Sequence, residues 1–220
     1  MNNMLTEIFF VPIFLLIGEV ANEDLRSAAT AKLNNGEIDA AVQMYEVLAQ
    51  EAEEKDIDRD KDVFWFLAMI EGVRGNEDEA LFYLSAASDI HGAESPPHLT
   101  TVAVTYAALG MREQAFRAAE KAMASVEESP YILQAALVAT AAAHASAGDL
   151  EMAVEYAAQV EIPSYGVLAW AFVALAYSEA GFDAEAERLR AEVDATPTRD
   201  YFSGLARLVV RELVTGAHTK

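Results

Sequence analysis

One pattern constrains this chain more than any other: Gly, four residues, Ala, five times over. It reads GEIDAA at 36–41, GNEDEA at 75–80, GMREQA at 110–115, GDLEMA at 148–153 and GFDAEA at 181–186. The opening glycines lie 39, 35, 38 and 33 residues apart and use five of the eleven glycines present. Self-similarity at a period of roughly 20–50 residues is the mark of stacked repeats. A second series interleaves with the first. Pro97, Pro130, Pro163 and Pro197 are spaced by 33, 33 and 34 residues and fall about midway between successive glycines. Together the two series define a unit of two helices and two different turns.

The turn chemistry follows from the residues. Gly adopts the left-handed conformation that ends a helix, so Gly36, Gly75, Gly110, Gly148 and Gly181 are expected to close the first helix of each unit. Asn76, Asp149 and Asp183 then stand where a side-chain oxygen can cap the second helix. The Ala that follows is small enough for paired helices to approach closely. Ser129-Pro130 reads as a cap followed by the first residue of the next helix, where Pro is tolerated.

Periodicity supports the same units. Ile38, Ala41, Tyr45 and Leu48 share one helical face, as do Ala186, Leu189 and Val193. The first helices are apolar on more than one side: LTTVAVTYAAL at 99–109, LQAALVATAAAHA at 133–145 and VLAWAFVALAY at 167–177. A helix that is apolar all round is covered on all sides. YFSGLARLVVRELV at 201–214 is amphipathic and is expected to cap the open end of the array. The expected fold is all-α, an α-solenoid of about five helix-turn-helix repeats. Residues 1–19 form an apolar N-terminal segment, 20–196 the repeat domain, and 197–220 a C-terminal capping helix and tail.

The pattern resembles the tetratricopeptide repeat (TPR). Trp170, Val173, Ala174, Tyr177, Gly181 and Ala186 match it in the fifth unit. In the third, Leu99, Val102, Ala103, Tyr106, Gly110, Ala115, Ala122 and Pro130 match; in the second, Phe64, Leu67, Ala68, Gly75, Ala80 and Ala87 do. The resemblance covers roughly residues 20–196. The aromatic residue late in the first helix is replaced by Lys32, Glu71 and His144 in units one, two and four.

The resemblance implies a concave face lined by first helices on which a polypeptide binds. Alignment on each Gly assigns to it Arg26 and Thr30 from unit one, Trp65, Met69 and Val73 from unit two, and Thr100, Val104 and Ala108 from unit three. Unit four adds Val138 and Ala142, and unit five Ala171 and Leu175. This lining is small and apolar. Only Arg26 is cationic, so the basic clamp with which one branch of the family holds acidic chaperone tails is missing. An apolar groove suits an amphipathic helix or an apolar strand. The alternative is that Trp65, Met69 and Val73 are core against the next repeat.

Charge and composition narrow the partners. The net charge of −21 repels phosphate, which argues against nucleic acid and anionic membrane surfaces. The acidity serves either solubility or attraction to a basic partner. With no cysteine there is no disulfide and no thiolate chemistry. His91, His98, His144 and His218 form no zinc pattern. Asp56, Asp58, Asp60 and Asp62 alternate as a calcium loop begins, but Lys61 and Leu67 stand where Gly and Glu are needed. A solvated loop is the expectation, with no metal and no cofactor.

Ile8 to Ile17 reads IFFVPIFLLI, too short to span a bilayer as a helix. Its length suits an export signal, but MNNMLTE before it carries Glu7 and no Lys or Arg, and no small-x-small cleavage site follows. The expectation is a segment packed on the first repeat or in the groove of a cytoplasmic protein. Export or membrane anchoring is the alternative. The expected function is that of a non-enzymatic scaffold or adaptor whose partner is another protein or peptide, basic or amphipathic. A chaperone or assembly factor is the rival reading, and a second copy of the chain is a further candidate partner.

Overall fold

The computed structural model describes residues 23–55, 62–91, 95–126 and 129–215. Among the described residues lie eleven α-helices and no strand. In chain order they are α1 over 23–35, α2 (Ile38–Lys55), α3 (Val63–Arg74), α4 (Glu77–His91), α5 (Pro96–Ala108) and α6 (Arg112–Ala124). They continue with α7 (Pro130–Ala147), α8 (Leu150–Ala158), α9 (Pro163–Glu179), α10 (Asp183–Ala195) and α11 (Tyr201–Thr215). The apolar run at 8–17, Asp56, Asp58, Asp60, Lys61 and His218 lie outside the described residues.

Each of the five glycines ends an odd-numbered helix in the same way. Their φ angles run from +71 to +80°. The glycine N–H donates three residues back, as Gly148 does to the Ala145 carbonyl at 3.0 Å. The next N–H donates five residues back, to Lys32, Glu71, Tyr106, His144 and Tyr177 in turn, at 2.8–3.0 Å. This double bond set satisfies carbonyls that a helix end otherwise orphans. The alanines five residues on from the glycines, Ala41, Ala80, Ala115, Ala153 and Ala186, are all buried.

The capping expectations are met in part. Asp149 precedes α8 and accepts from the Met152 N–H at 3.4 Å. Asp183 is already the first residue of α10, with Phe182 before it, so its charge acts on the helix dipole. Asn76 donates its side-chain amide to Glu71. Ser129 precedes α7 in extended geometry and Pro130 opens the helix, without a side-chain cap bond from Ser129.

The odd-numbered helices pack in a row, α3 on α5, α5 on α7 and α7 on α9, and each even-numbered helix packs behind its own pair and the next. α11 does more than cover the last pair. It packs on α9 and then on α3, so α3, α5, α7, α9 and α11 close into a ring. An end cap keeps one face in water, but residues 203–210 of α11 are buried without a break.

The closure is fastened to α1. A Cβ on Gly204 would stand 2.9 Å from Leu33 Cγ and 3.1 Å from Asn34 Nδ2, so α11 and α1 cross where only hydrogen fits between them. Asn34 donates to the Asp200 carbonyl at 3.0 Å and the Arg199 carbonyl at 3.2 Å. Its side-chain oxygen accepts from Arg207. Arg207 is buried, and it also donates to the carbonyls of Thr196 at 2.7 Å and Thr198 at 3.2 Å. A guanidinium out of water needs its donors filled; here uncharged oxygens fill them.

Candidate functional site

The five ring helices run in the same direction, and the ring holds a cavity of about 250 Å³ where they begin. Its floor is Met69 from α3, Val104 from α5, Val138 from α7 and Leu168 from α9, all buried. Half-buried aromatics surround its mouth: Trp65 and Phe66 from α3, Tyr165 from α9 and Phe202 from α11. Pro97, Thr100 and Thr101 from α5 and Ala135 from α7 add to the wall, and among the described lining residues Asp62 alone is charged.

The aromatic mouth is held by its own contacts. Phe66 stacks on Tyr201 with ring centroids 3.9 Å apart, and the Tyr201 hydroxyl donates to the Phe66 carbonyl at 2.8 Å. Tyr165 meets Phe202 edge to face at 4.6 Å. Burial pushes the Tyr165 phenol up, and the charge of Asp200 adds to the effect. Burial pushes Tyr201 well above the ordinary phenol value. Both phenols are neutral at physiological pH. Thr100 and Thr101 turn their hydroxyls to the Pro96 and Pro97 carbonyls, each at 3.1 Å, so α5 satisfies them internally.

Of the residues that alignment on the glycines assigned to the groove, Trp65, Met69, Thr100, Val104 and Val138 line this cavity. Arg26 and Thr30 stand beside it. They line a depression with Tyr201, and the Arg26 guanidinium lies 5.8 Å over the Phe66 ring. Thr30 shares a 2.9 Å hydrogen bond with the Tyr45 hydroxyl. Val73, Ala142 and Ala171, one turn further along α3, α7 and α9, are buried and divide the ring interior. Beyond them Leu175 and Ala108 line a second opening of about 570 Å³ at the helix C-termini. Arg74, Glu77, Arg112 and Glu179 line it too, and Arg74 is engaged by Glu71 at 2.9 Å and Asp39 at 2.8 Å. The residues assigned to one groove thus line two openings or lie buried between them.

Phe66, Tyr165, Leu168 and Phe202 are the large apolar and aromatic lining residues that repeat alignment missed, along with Asp62, Pro97, Thr101 and Ala135. Phe202 belongs to a helix outside the repeat and reaches the site only because α11 returns to α3. The signal open to sequence inspection was the Tyr201-Phe202 pair opening an apolar helix.

The two ends differ in charge. None of the five ring helices carries an Asp or Glu in its first turn. All five even-numbered helices do: Asp39, Glu77, Glu113, Glu151 and Asp183. At the mouth the acidic side chains are Asp62, just before α3, and Asp200, just before α11, rather than residues of the first helical turns. Among the described residues no group of three or more His, Asp or Glu side chains could hold a metal, and no helix is long and apolar enough to cross a membrane. The described wall residues offer mainly apolar surface. No protein-family model, curated protein or solved structure matches this chain.

Proposed function

We propose that the chain is a short TPR-like solenoid curled onto itself, and that it binds another polypeptide without catalysis. Apolar anchor side chains of the partner enter the ring cavity. The observation that carries this reading is the cavity's construction: an aliphatic floor beneath four half-buried aromatic side chains. Aromatic residues at a partly wet rim are what protein interfaces enrich.

Size separates an anchor from a whole ligand. An apolar cavity of about 150 Å³ takes a benzene-sized group, whereas sites for drug-sized molecules and cofactors run to roughly 300–1,000 Å³. At about 250 Å³ the cavity suits one or two large side chains. A partner helix laid over the mouth would insert its apolar residues and leave its polar face outside.

Ala135→Phe tests the reading. Ala135 is a partly exposed wall residue, so the added ring fills the cavity from its rim. The native chain and the variant, matched for helical content and melting temperature, are used as paired baits. A partner retained by the native chain and lost by A135F supports anchor binding in the cavity. A partner retained equally by both overturns it.

A further inference from the structure

We propose that the ring cavity is also a site for a small quaternary ammonium ligand, which enters alkyl tail first and leaves its cation at the rim, between Asp62 and the aromatic side chains of α3, α9 and α11. This goes beyond the polypeptide reading and needs no partner chain.

The rim is uneven. Trp65 and Phe66 on α3, Tyr165 on α9 and Phe202 on α11 stand on one side, while α5 and α7 contribute small or polar residues. Both acidic side chains of the mouth fall on the aromatic side. Asp62 lines the cavity just before α3, and Asp200, just before α11, is close enough to Tyr165 for its charge to raise that phenol. The face of an aromatic ring attracts an organic cation, most strongly where water is partly excluded. Phe66 already makes such a contact, because the Arg26 guanidinium reaches it from the neighbouring depression at 5.8 Å. A neutral hydrocarbon needs the rings alone. Rings beside a carboxylate match a ligand that is apolar on its surface and charged at its centre.

The helix ends place the charge. Asp62 stands at the start of α3, and Asp200 caps α11 by accepting from the Ser203 N–H at 2.9 Å, so both offset the positive ends of those helices. α5, α7 and α9 open with Pro and carry no acid in the first turn. A cation is therefore best held on the α3–α11 side of the rim. The net charge of −21 raises the concentration of cations around the whole chain.

The floor fixes the orientation. Met69, Val104, Val138 and Leu168 offer hydrocarbon and one thioether, and a charge carried down to them would lose its water without a partner. A cavity of about 250 Å³ exceeds the roughly 150 Å³ that holds a benzene-sized group, so it takes a trimethylammonium head with a tail of about four carbons. A trimethylated lysine side chain has the opposite order, with its charge leading.

NMR titrations of the full chain with n-butyltrimethylammonium, tetramethylammonium, 1-butanol and N-acetyl-trimethyl-lysine methylamide test the proposal. The butyl cation should bind about ten times more tightly than each of the others. Trp65→Leu and Phe202→Leu keep apolar bulk and remove a ring. At matched helical content each should weaken the butyl cation about fivefold and leave 1-butanol unchanged, and Asp62→Asn should do the same. Equal affinity for 1-butanol, or no binding of the butyl cation at about 20 mM, overturns the proposal. Tighter binding of the lysine derivative overturns it in favour of a methylated side chain. Butyl-cation affinity that is unchanged in all three variants puts the ligand elsewhere and also overturns it. Ala135→Phe fills the cavity and should abolish binding. If no ammonium binds while A135F still releases a polypeptide partner, this proposal fails and the polypeptide reading stands. If the ammonium binds and A135F retains the partner, the polypeptide reading fails alone.

Discussion

His144 Nδ1 lies 3.0 Å from Asp149 Oδ2 across the turn made by Gly148. The same two positions, four before the glycine and one after it, are joined in other units. Lys32 pairs with Glu37 at 2.5 Å across Gly36, and Glu71 accepts from Asn76 across Gly75. Tyr177 meets Phe182 edge to face at 6.0 Å across Gly181. The backbone bond from the second residue to the first brings each pair together. The side chains then match, polar with polar or aromatic with aromatic. Lys32, Glu71 and His144, which break the repeat's aromatic pattern, are compensated by their partners.

Matching of this kind predicts non-additive stability. His144→Tyr and Asp149→Met together transplant the Tyr106–Met111 pair of the third unit into the fourth. Asp149→Met alone should cost about 1–2 kcal/mol, because it also removes the cap on Met152. The double variant should be more stable than the sum of the singles by about 0.5–1 kcal/mol. Urea midpoints of the four proteins check it, and strict additivity would dissolve the pairing.

Two helical glycines should respond oppositely to alanine. Gly204→Ala pushes a methyl against Leu33 and Asn34 and should destabilise by about 1–3 kcal/mol through overpacking. A Cβ on Gly166 would meet nothing nearer than the Val160 carbonyl at 3.6 Å. There the helix propensity of Ala should prevail and stabilise by up to about 1 kcal/mol. Thermal melts of both variants decide whether the α1–α11 crossing is as close as described.

Asn34→Ala should be among the most damaging polar substitutions. It strips Arg207 of its side-chain acceptor and removes a donor from the carbonyls of Arg199 and Asp200. A loss of about 3 kcal/mol is expected, since unfilled partners of a buried charge carry the desolvation cost. Adding Arg207→Met should recover part of that loss. A double variant no better than Asn34→Ala would count against it.

Alkaline pH should weaken the fold through its tyrosines. Burial first, and then the Glu46 charge, push Tyr83 up to about 12. A phenol whose folded value is raised contributes its full stability below the unfolded value of about 10. It loses that contribution as pH rises toward the folded value, because the unfolded chain deprotonates first. Denaturant midpoints should therefore fall between about pH 10 and about pH 12, and Tyr83→Phe should fall less steeply. Parallel profiles would show that Tyr83 contributes nothing to the linkage.

The local parts of this fold were legible in the sequence because their causes are local. A glycine at the required φ ends each first helix, and the buried alanines and helix-opening prolines follow from spacing alone. Alignment on the glycines also found Trp65, Met69, Thr100, Val104 and Val138, since neighbouring units share their geometry. Ring closure was hidden because it depends on partners distant in sequence. Gly204 matters only where Leu33 lies above it, and Arg207 reads as a solvent charge until Asn34 is placed beside it. Once α11 turned the array inward, Val73, Ala142 and Ala171 passed from groove to packing.

Closure also changes how such a chain comes apart. In an open array each unit touches only its neighbours, so terminal units fray while the middle persists. Here Arg207 and Asn34, 173 residues apart in sequence, hold the last helix on the first. Neither end can peel away without exposing the other. Unfolding should therefore be a single cooperative step, and nicking the α10–α11 connection should loosen α1 as readily as α11.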